Sequence, residues 1–455
     1  MRKLLMVVAA CVLATVAMAA KKAQPKVYQY RIYLTDKAKS PYSLAHPERF
    51  LSEKSLKRRQ RQGIKVDSTD LPVSPSYIES IRRSGLKIMG TSRWHNTVWV
   101  ESATDDVAAR VGALPFVSKV LRLYVSPDSL VVPQRVKLDS CSIPDSLKSE
   151  YGCGKTQIDI LDGIRLHKAG FRGRGMTIAI LDAGFHNVDS IAAMDNISIV
   201  AKKDFGPRRT ADIHAEHYHG TMVLSAMAMN RPGLMIGTAP EAQYALIRTE
   251  DIDTETRAEE DSWTAGAEFA DSLGADIINS SLGYTHWDGD SIGPRLRDLD
   301  GKTTFVSKTA SMLASKGMIL CNSAGNEGSG TWHKIGVPAD ASNILAVGAV
   351  RKDSAIAIFS SLGPSQDGRV KPDVCSPGYM VYVVNGHGDL TMSNGTSFAS
   401  PILCGMVACL WQAYPERTAM EIMDMVRKSG DRHQWPDSVY GYGIPDFGSM
   451  VNAGN

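Results

Sequence analysis

From about Gly152 onward, five short and nearly continuous apolar runs (177–181, 244–248, 277–279, 318–322 and 344–350) alternate with segments of helical periodicity. A strand that is apolar on both faces is stable only where both faces are covered, which requires a mainly parallel sheet between layers of helices. The pattern therefore predicts an α/β, three-layer domain over 150–455. Ahead of it the pattern is different. Residues 27–34, 97–101 and 117–125 read as strands, and 75–85 and 105–114 as helices, which together make a small α+β unit over 21–125. A stretch rich in Ser, Pro and Asp joins the two over 126–149 and reads as a linker open to proteolysis.

The first twenty residues stand apart. Arg2 and Lys3 precede an apolar stretch ending in the small residues Ala17, Ala19 and Ala20, the layout of a secretory signal over 1–20. An uncleaved anchor is the alternative, and Cys11 only faintly matches a lipoprotein cleavage box. No other segment reads as a bilayer span, so a secreted, periplasmic or cell-surface protein with no stable membrane insertion after signal removal is expected. In an oxidising compartment Cys141 and Cys153, in polar sequence, are the best disulfide candidates. Cys321, Cys375, Cys404 and Cys409 sit in apolar runs and read as core residues.

The net charge of +3 on 455 residues gives no reason to expect nucleic acid as a partner. The basic cluster Lys54, Lys57, Arg58, Arg59 and Arg61 reads as the solvated face of one helix. The acidic run Asp251, Asp253, Glu255, Glu259, Glu260 and Asp261 reads as a solvated loop.

Three segments carry chemistry. Thr177-Ile-Ala-Ile-Leu-Asp182 is an apolar strand that ends on a carboxylate, and functional groups of open α/β sheets gather at that edge. His219-Gly-Thr-Met-Val223 puts an imidazole at the start of an apolar helix. Asn394-Gly-Thr-Ser397-Phe-Ala-Ser-Pro401 puts a hydroxyl at the start of a helix apolar nearly all round. Free N–H groups and the helix dipole favour developing negative charge there. Singly, these could be a turn cap, a structural histidine and an N-cap.

Their order is Asp, His, Ser, and with it the chain resembles the subtilisin-like serine peptidases. Further landmarks follow in order: Gly237-Thr-Ala-Pro240, Asn279-Ser-Ser-Leu-Gly283, Ala324-Gly-Asn-Glu-Gly328 and Lys371-Pro-Asp-Val374. The resemblance implies a secreted endopeptidase acting on polypeptides through an acyl-enzyme. Ser397 would be the nucleophile, His219 the general base and acid, and Asp182 the residue orienting His219. The Asn326 side chain and the Ser397 N–H would bind the oxyanion. Ser281, Leu282, Gly283, Ala324, Gly325 and Gly336 would line the substrate cleft, whose glycines favour apolar or aromatic side chains. The family has Thr or Ser after the catalytic Asp, where this chain has Ala183.

By position and pattern the small N-terminal unit resembles the family's propeptide, an intramolecular inhibitor whose 120–133 stretch would block the cleft before cleavage within 126–149. No cofactor is required for the chemistry. A structural calcium ion is common in the family, but no ligands stand out. The alternatives are a catalytically inactive relative acting as a binding module, and a metallohydrolase built on His214-Ala-Glu-His217-Tyr-His219.

Overall fold

The computed structural model describes residues 21–23, 25–127, 129–131, 149–288 and 293–451. The signal-like segment, Cys141 with its proposed partnership to Cys153, and most of the 126–149 linker lie outside the described residues.

All five apolar runs form strands of one sheet. Its order is Val374–Pro377, Leu345–Val350, Ile319–Ser323, Ile277–Ser280, Thr177–Asp182, Gln243–Arg248 and Ser198–Asp204, with every pairing parallel. Helices His219–Ala228 and Thr396–Ala413 cover one face, in a core with Ile178, Ile180 and Val347. Helices Ala258–Leu273 and Phe305–Met312 cover the other, in a core with Ala179, Leu181 and Ile278. Cys321, Cys375, Cys404 and Cys409 are buried in the core as free thiols. Helix Thr396–Ala413 is, contrary to expectation, long and apolar enough to cross a membrane, but 83% of it is buried inside the protein.

The N-terminal unit is a four-stranded antiparallel sheet ordered Lys87–Ser92, Thr97–Ser102, Tyr28–Leu34, Val117–Val125. Helices Pro75–Arg83 and Val107–Val111 close its core through Ile81, Val107 and Val111 against Ile32, Val98 and Val100. Strand Lys87–Ser92 was not expected, because Gly90 and a bulge between Ile88 and Gly90 interrupt its alternation.

The two charged clusters correct the sequence reading. Helix Glu53–Arg61 does not present a solvated basic face, since Arg58 and Arg59 are 2% and 1% exposed. Arg58 pairs with Asp271, and Arg59 holds Asp271 at 2.8 Å and Asp70 at 3.0 Å. Nor is the acidic run a solvated loop. Glu259, Glu260 and Asp261 lie in the first turn of helix Ala258–Leu273 and are buried, as is Asp251. Arg31 of the N-terminal sheet reaches Asp261 with Nε at 3.0 and 2.9 Å from its two oxygens. Lower on the same helix, Glu268 accepts from the Ser92 hydroxyl and the Arg93 and Trp94 N–H groups. One acidic face of one helix thus receives the arginines of the N-terminal unit. The attraction was invisible within either segment alone.

Candidate active site

Asp182 ends the strand beside the centre of the sheet, with its carboxylate wholly buried. His219 opens its helix, and its Nδ1 lies 2.8 and 3.0 Å from the two Asp182 oxygens. Gly220 makes this approach possible, because a Cβ there would fall 2.3 Å from the Gly184 carbonyl oxygen. Ala183 supplies no hydroxyl to the carboxylate, but its backbone N–H donates to Asp182 Oδ1 at 2.8 Å. The backbone thus provides a donor at the position where the sequence departs from the family pattern.

Burial opposes charge on the His219 ring, but the Asp182 carboxylate and its hydrogen bond more than offset this and raise the pKa above the ordinary histidine value. A base must be neutral to act, so lowering the pH removes it. The acid limb of a kcat/KM profile on a peptide substrate is therefore expected to have its midpoint above about 6.5. A midpoint below that value would contradict the pairing.

Ser397 lies in the first turn of helix Thr396–Ala413. Its hydroxyl donates to the Ser281 carbonyl at 3.3 Å, and the Phe398 ring next to it sits 5.9 Å, centroid to centroid, from His219. The hydroxyl therefore rests on the carbonyl just past strand Ile277–Ser280, and serine–histidine hydrogen bonds in active sites commonly tighten only when substrate is bound. Asn326 Oδ1 accepts from the Thr396 N–H at 2.9 Å and the Thr396 hydroxyl at 3.0 Å. These donors fix the amide with its oxygen toward the serine helix and leave its NH2 on the opposite branch.

Of the six residues named for the cleft, Ser281 and Gly325 hydrogen-bond at the same helix start. Ser281 Oγ donates to the Ser397 carbonyl at 2.8 Å, Leu282 O accepts from Asn322, and Gly325 N donates to Thr396 Oγ1. Gly336 N donates to Ala324 O at 3.3 Å, and a Cβ on Gly336 would stand 3.0 Å from Tyr284 O. At Gly283 the nearest atom to an added Cβ is Val337 O, 3.6 Å away.

The histidine-rich segment does not converge. His214 Nδ1 contacts Phe185 O and its Nε2 contacts Lys202, while His217 Nδ1 accepts from the His219 N–H. Among the described residues no three His, Cys, Asp or Glu side chains come together to hold a metal ion. Calcium ligands remain unassigned. Two buried residues that the sequence reading did not single out, Asn279 and Ser400, hydrogen-bond at the serine helix. Their signal was the Asn-Ser-Ser run and a serine one helical turn after Ser397.

A parallel α/β sheet whose strand and helix ends bring together a buried carboxylate, an imidazole and a serine hydroxyl defines the class of protein. Residues 173–443 match the Subtilase family, and residues 29–134 match the Peptidase S8 propeptide domain of Bacteroidota. The chain belongs to the subtilase family. It is 29% identical over 267 residues to Subtilisin NAT of Bacillus subtilis subsp. natto, covering 58% of this chain and 62% of that protein. It is 26% identical to the Minor extracellular protease Epr of Bacillus subtilis, covering 72% of this chain and 47% of that one. The match thus spans about three-fifths of the first of these relatives, 62% of its length. The Epidermin Leader Peptide Processing Serine Protease (EpiP) of Staphylococcus aureus shares the fold, with a TM-score of 0.62, 17% identity and 94% and 99% of the two chains covered. MycP3 protease, from the type VII (ESX-3) secretion system, shares it with a TM-score of 0.54 and 18% identity, over 70% and 93% of the two chains.

Proposed function

We propose that this chain is a secreted serine endopeptidase made as a precursor with its own N-terminal inhibitor. The observation that carries the reading is the buried Asp182 carboxylate held 2.8 Å from His219 Nδ1, beside a serine at a buried helix start. Ser397 Oγ attacks the scissile carbonyl while His219 takes its proton through Nε2. Asp182 keeps Nδ1 protonated and stabilises the imidazolium. The oxyanion is met by the Asn326 NH2 and the Ser397 N–H. His219 then returns the proton to the leaving amine, and water repeats the sequence on the acyl-enzyme. No cofactor enters these steps.

Ser281-Leu282-Gly283 pairs with the extended substrate backbone, and Ala324, Gly325 and Gly336 form the walls around the side chain before the scissile bond. The propeptide domain docks through the arginines described above. Its Leu121 to Val125 strand and Pro127 border a cavity of about 550 Å³ shared with Asp253, Thr254, Thr256 and Asp288. Among the described residues no backbone hydrogen bond joins 126–127 or 129–131 to 281–283. Release follows cleavage within 126–149.

Retention of Asp182, His219, Ser397 and Asn326 disfavours an inactive binding module. A sulfonyl fluoride is expected to abolish casein digestion by the processed protein, and a zinc chelator to leave it intact. The reverse pattern would favour the metallohydrolase.

A further inference from the structure

The helix that carries the nucleophile has a defect at its first turn. Pro401 stands four residues after Ser397, where an α-helix would supply the N–H that bonds the Ser397 carbonyl, and proline has none. An unpaired carbonyl buried at this point would be costly. Ser281 fills the gap, with its hydroxyl donating to Ser397 O at 2.8 Å. A hydroxyl has one hydrogen to give, so its direction depends on what else the oxygen meets. Asn279 Nδ2 donates to Ser281 Oγ at 3.1 Å, which leaves the Ser281 hydrogen free for Ser397 O. The orientation of that amide is set in turn by Ser400 Oγ, which donates to Asn279 Oδ1 at 2.9 Å from one turn along the serine helix. Asn279 and Ser400 are fully buried and Ser281 is 5% exposed, so bulk water is poorly placed to substitute.

Resting on the protease reading above, we propose that Asn279 is a positioning residue for the nucleophile, acting through Ser281. The ring Ser400–Asn279–Ser281–Ser397 closes on the helix at both ends. It fixes the peptide plane that follows Ser397, and with it the direction of the Ser397 Cα–Cβ bond. Asn279 touches neither substrate nor the reacting atoms, and its effect is on geometry alone.

The test uses Asn279→Asp in the full chain. An ionised Asp at this position keeps the size but has no donor. It accepts the Ser281 hydrogen instead, and the Ser397 carbonyl is orphaned. A misplaced nucleophile is expected to lower kcat on a small peptide anilide about 10- to 100-fold with KM within about twofold. The rate of phosphonylation by a fluorophosphonate should fall in parallel. Ser281→Ala removes the same donor from a less buried position and serves if Asn279→Asp does not fold. It should show the same kcat loss, and the double variant should be no slower than Ser281→Ala alone. Unchanged kcat and labelling in folded variants, or losses that multiply in the double variant, overturn this inference alone. A wild-type chain that no serine reagent labels overturns the protease reading beneath it.

Discussion

Ser397→Ala is expected to lower proteolysis about ten-thousand-fold or more and to leave the chain as an unprocessed precursor. The reason is that the triad acts as a unit. Without the hydroxyl, the His219–Asp182 pair has no proton to accept, and only binding and oxyanion contacts remain. The measurement is peptide-anilide turnover together with the intact mass of the secreted protein, beside wild type. Residual processing at the wild-type rate would mean that Ser397 is not the nucleophile of maturation.

The second large effect lies far from the chemistry. Asp271 receives Arg58, Arg59 and Arg93 at once, with Arg59 Nη1 at 2.8 Å from one oxygen and Nη2 at 2.9 Å from the other. The Arg58, Arg59 and Asp271 side chains are at most 1% exposed. The arginines hold the Asp271 carboxyl far below the usual range even though burial pushes the other way. Asp271→Asn would take the shared carboxylate from three guanidinium groups and leave Arg59 with Asp70 alone, and breaking a buried pair costs about 3–5 kcal/mol. At about 1.4 kcal/mol per tenfold, propeptide docking should weaken by about a hundred- to a few thousand-fold. Amide exchange of helix Glu53–Arg61 and strand Tyr28–Leu34, measured in the uncleaved Ser397→Ala chain, should speed up accordingly. Protection equal to that of the parent would show that docking rests on apolar contacts instead.

What the sequence made legible follows from the range of each interaction. The five apolar runs marked the inner strands because burial on both faces is written into consecutive residues. The two strands of that sheet that went unread lie at its two edges. Ser198–Asp204 carries Lys202 and Lys203, and Val374–Pro377 ends on a proline. Asp182, His219, Ser397 and Asn326 stood out through short motifs, and the structure brings all four to the same edge of the sheet. Arg31 did not stand out, and Arg58 and Arg59 read as part of a solvated face. A surface cation and an interface cation look alike until the partner surface is in view, and here the partners Asp261 and Asp271 lie more than two hundred residues away. Glu260, Asp261, Glu268 and Asp271 do share one helical face at spacings of seven and three, and that was the readable half of the signal. Asn279 was hidden for a related reason, because its importance depends on the missing N–H of Pro401 on a distant helix.

The account depends on an imidazole and an amide flanking one hydroxyl. A crystal structure of the processed protein inactivated by a peptidyl phosphonate tests this most directly. The phosphorus should be bonded to Ser397 Oγ, with a phosphonyl oxygen about 2.7–3.1 Å from both Asn326 Nδ2 and Ser397 N. His219 should still be bonded to Asp182. An adduct on any other residue, or an Asn326 amide turned away from the phosphonyl oxygen, would contradict it.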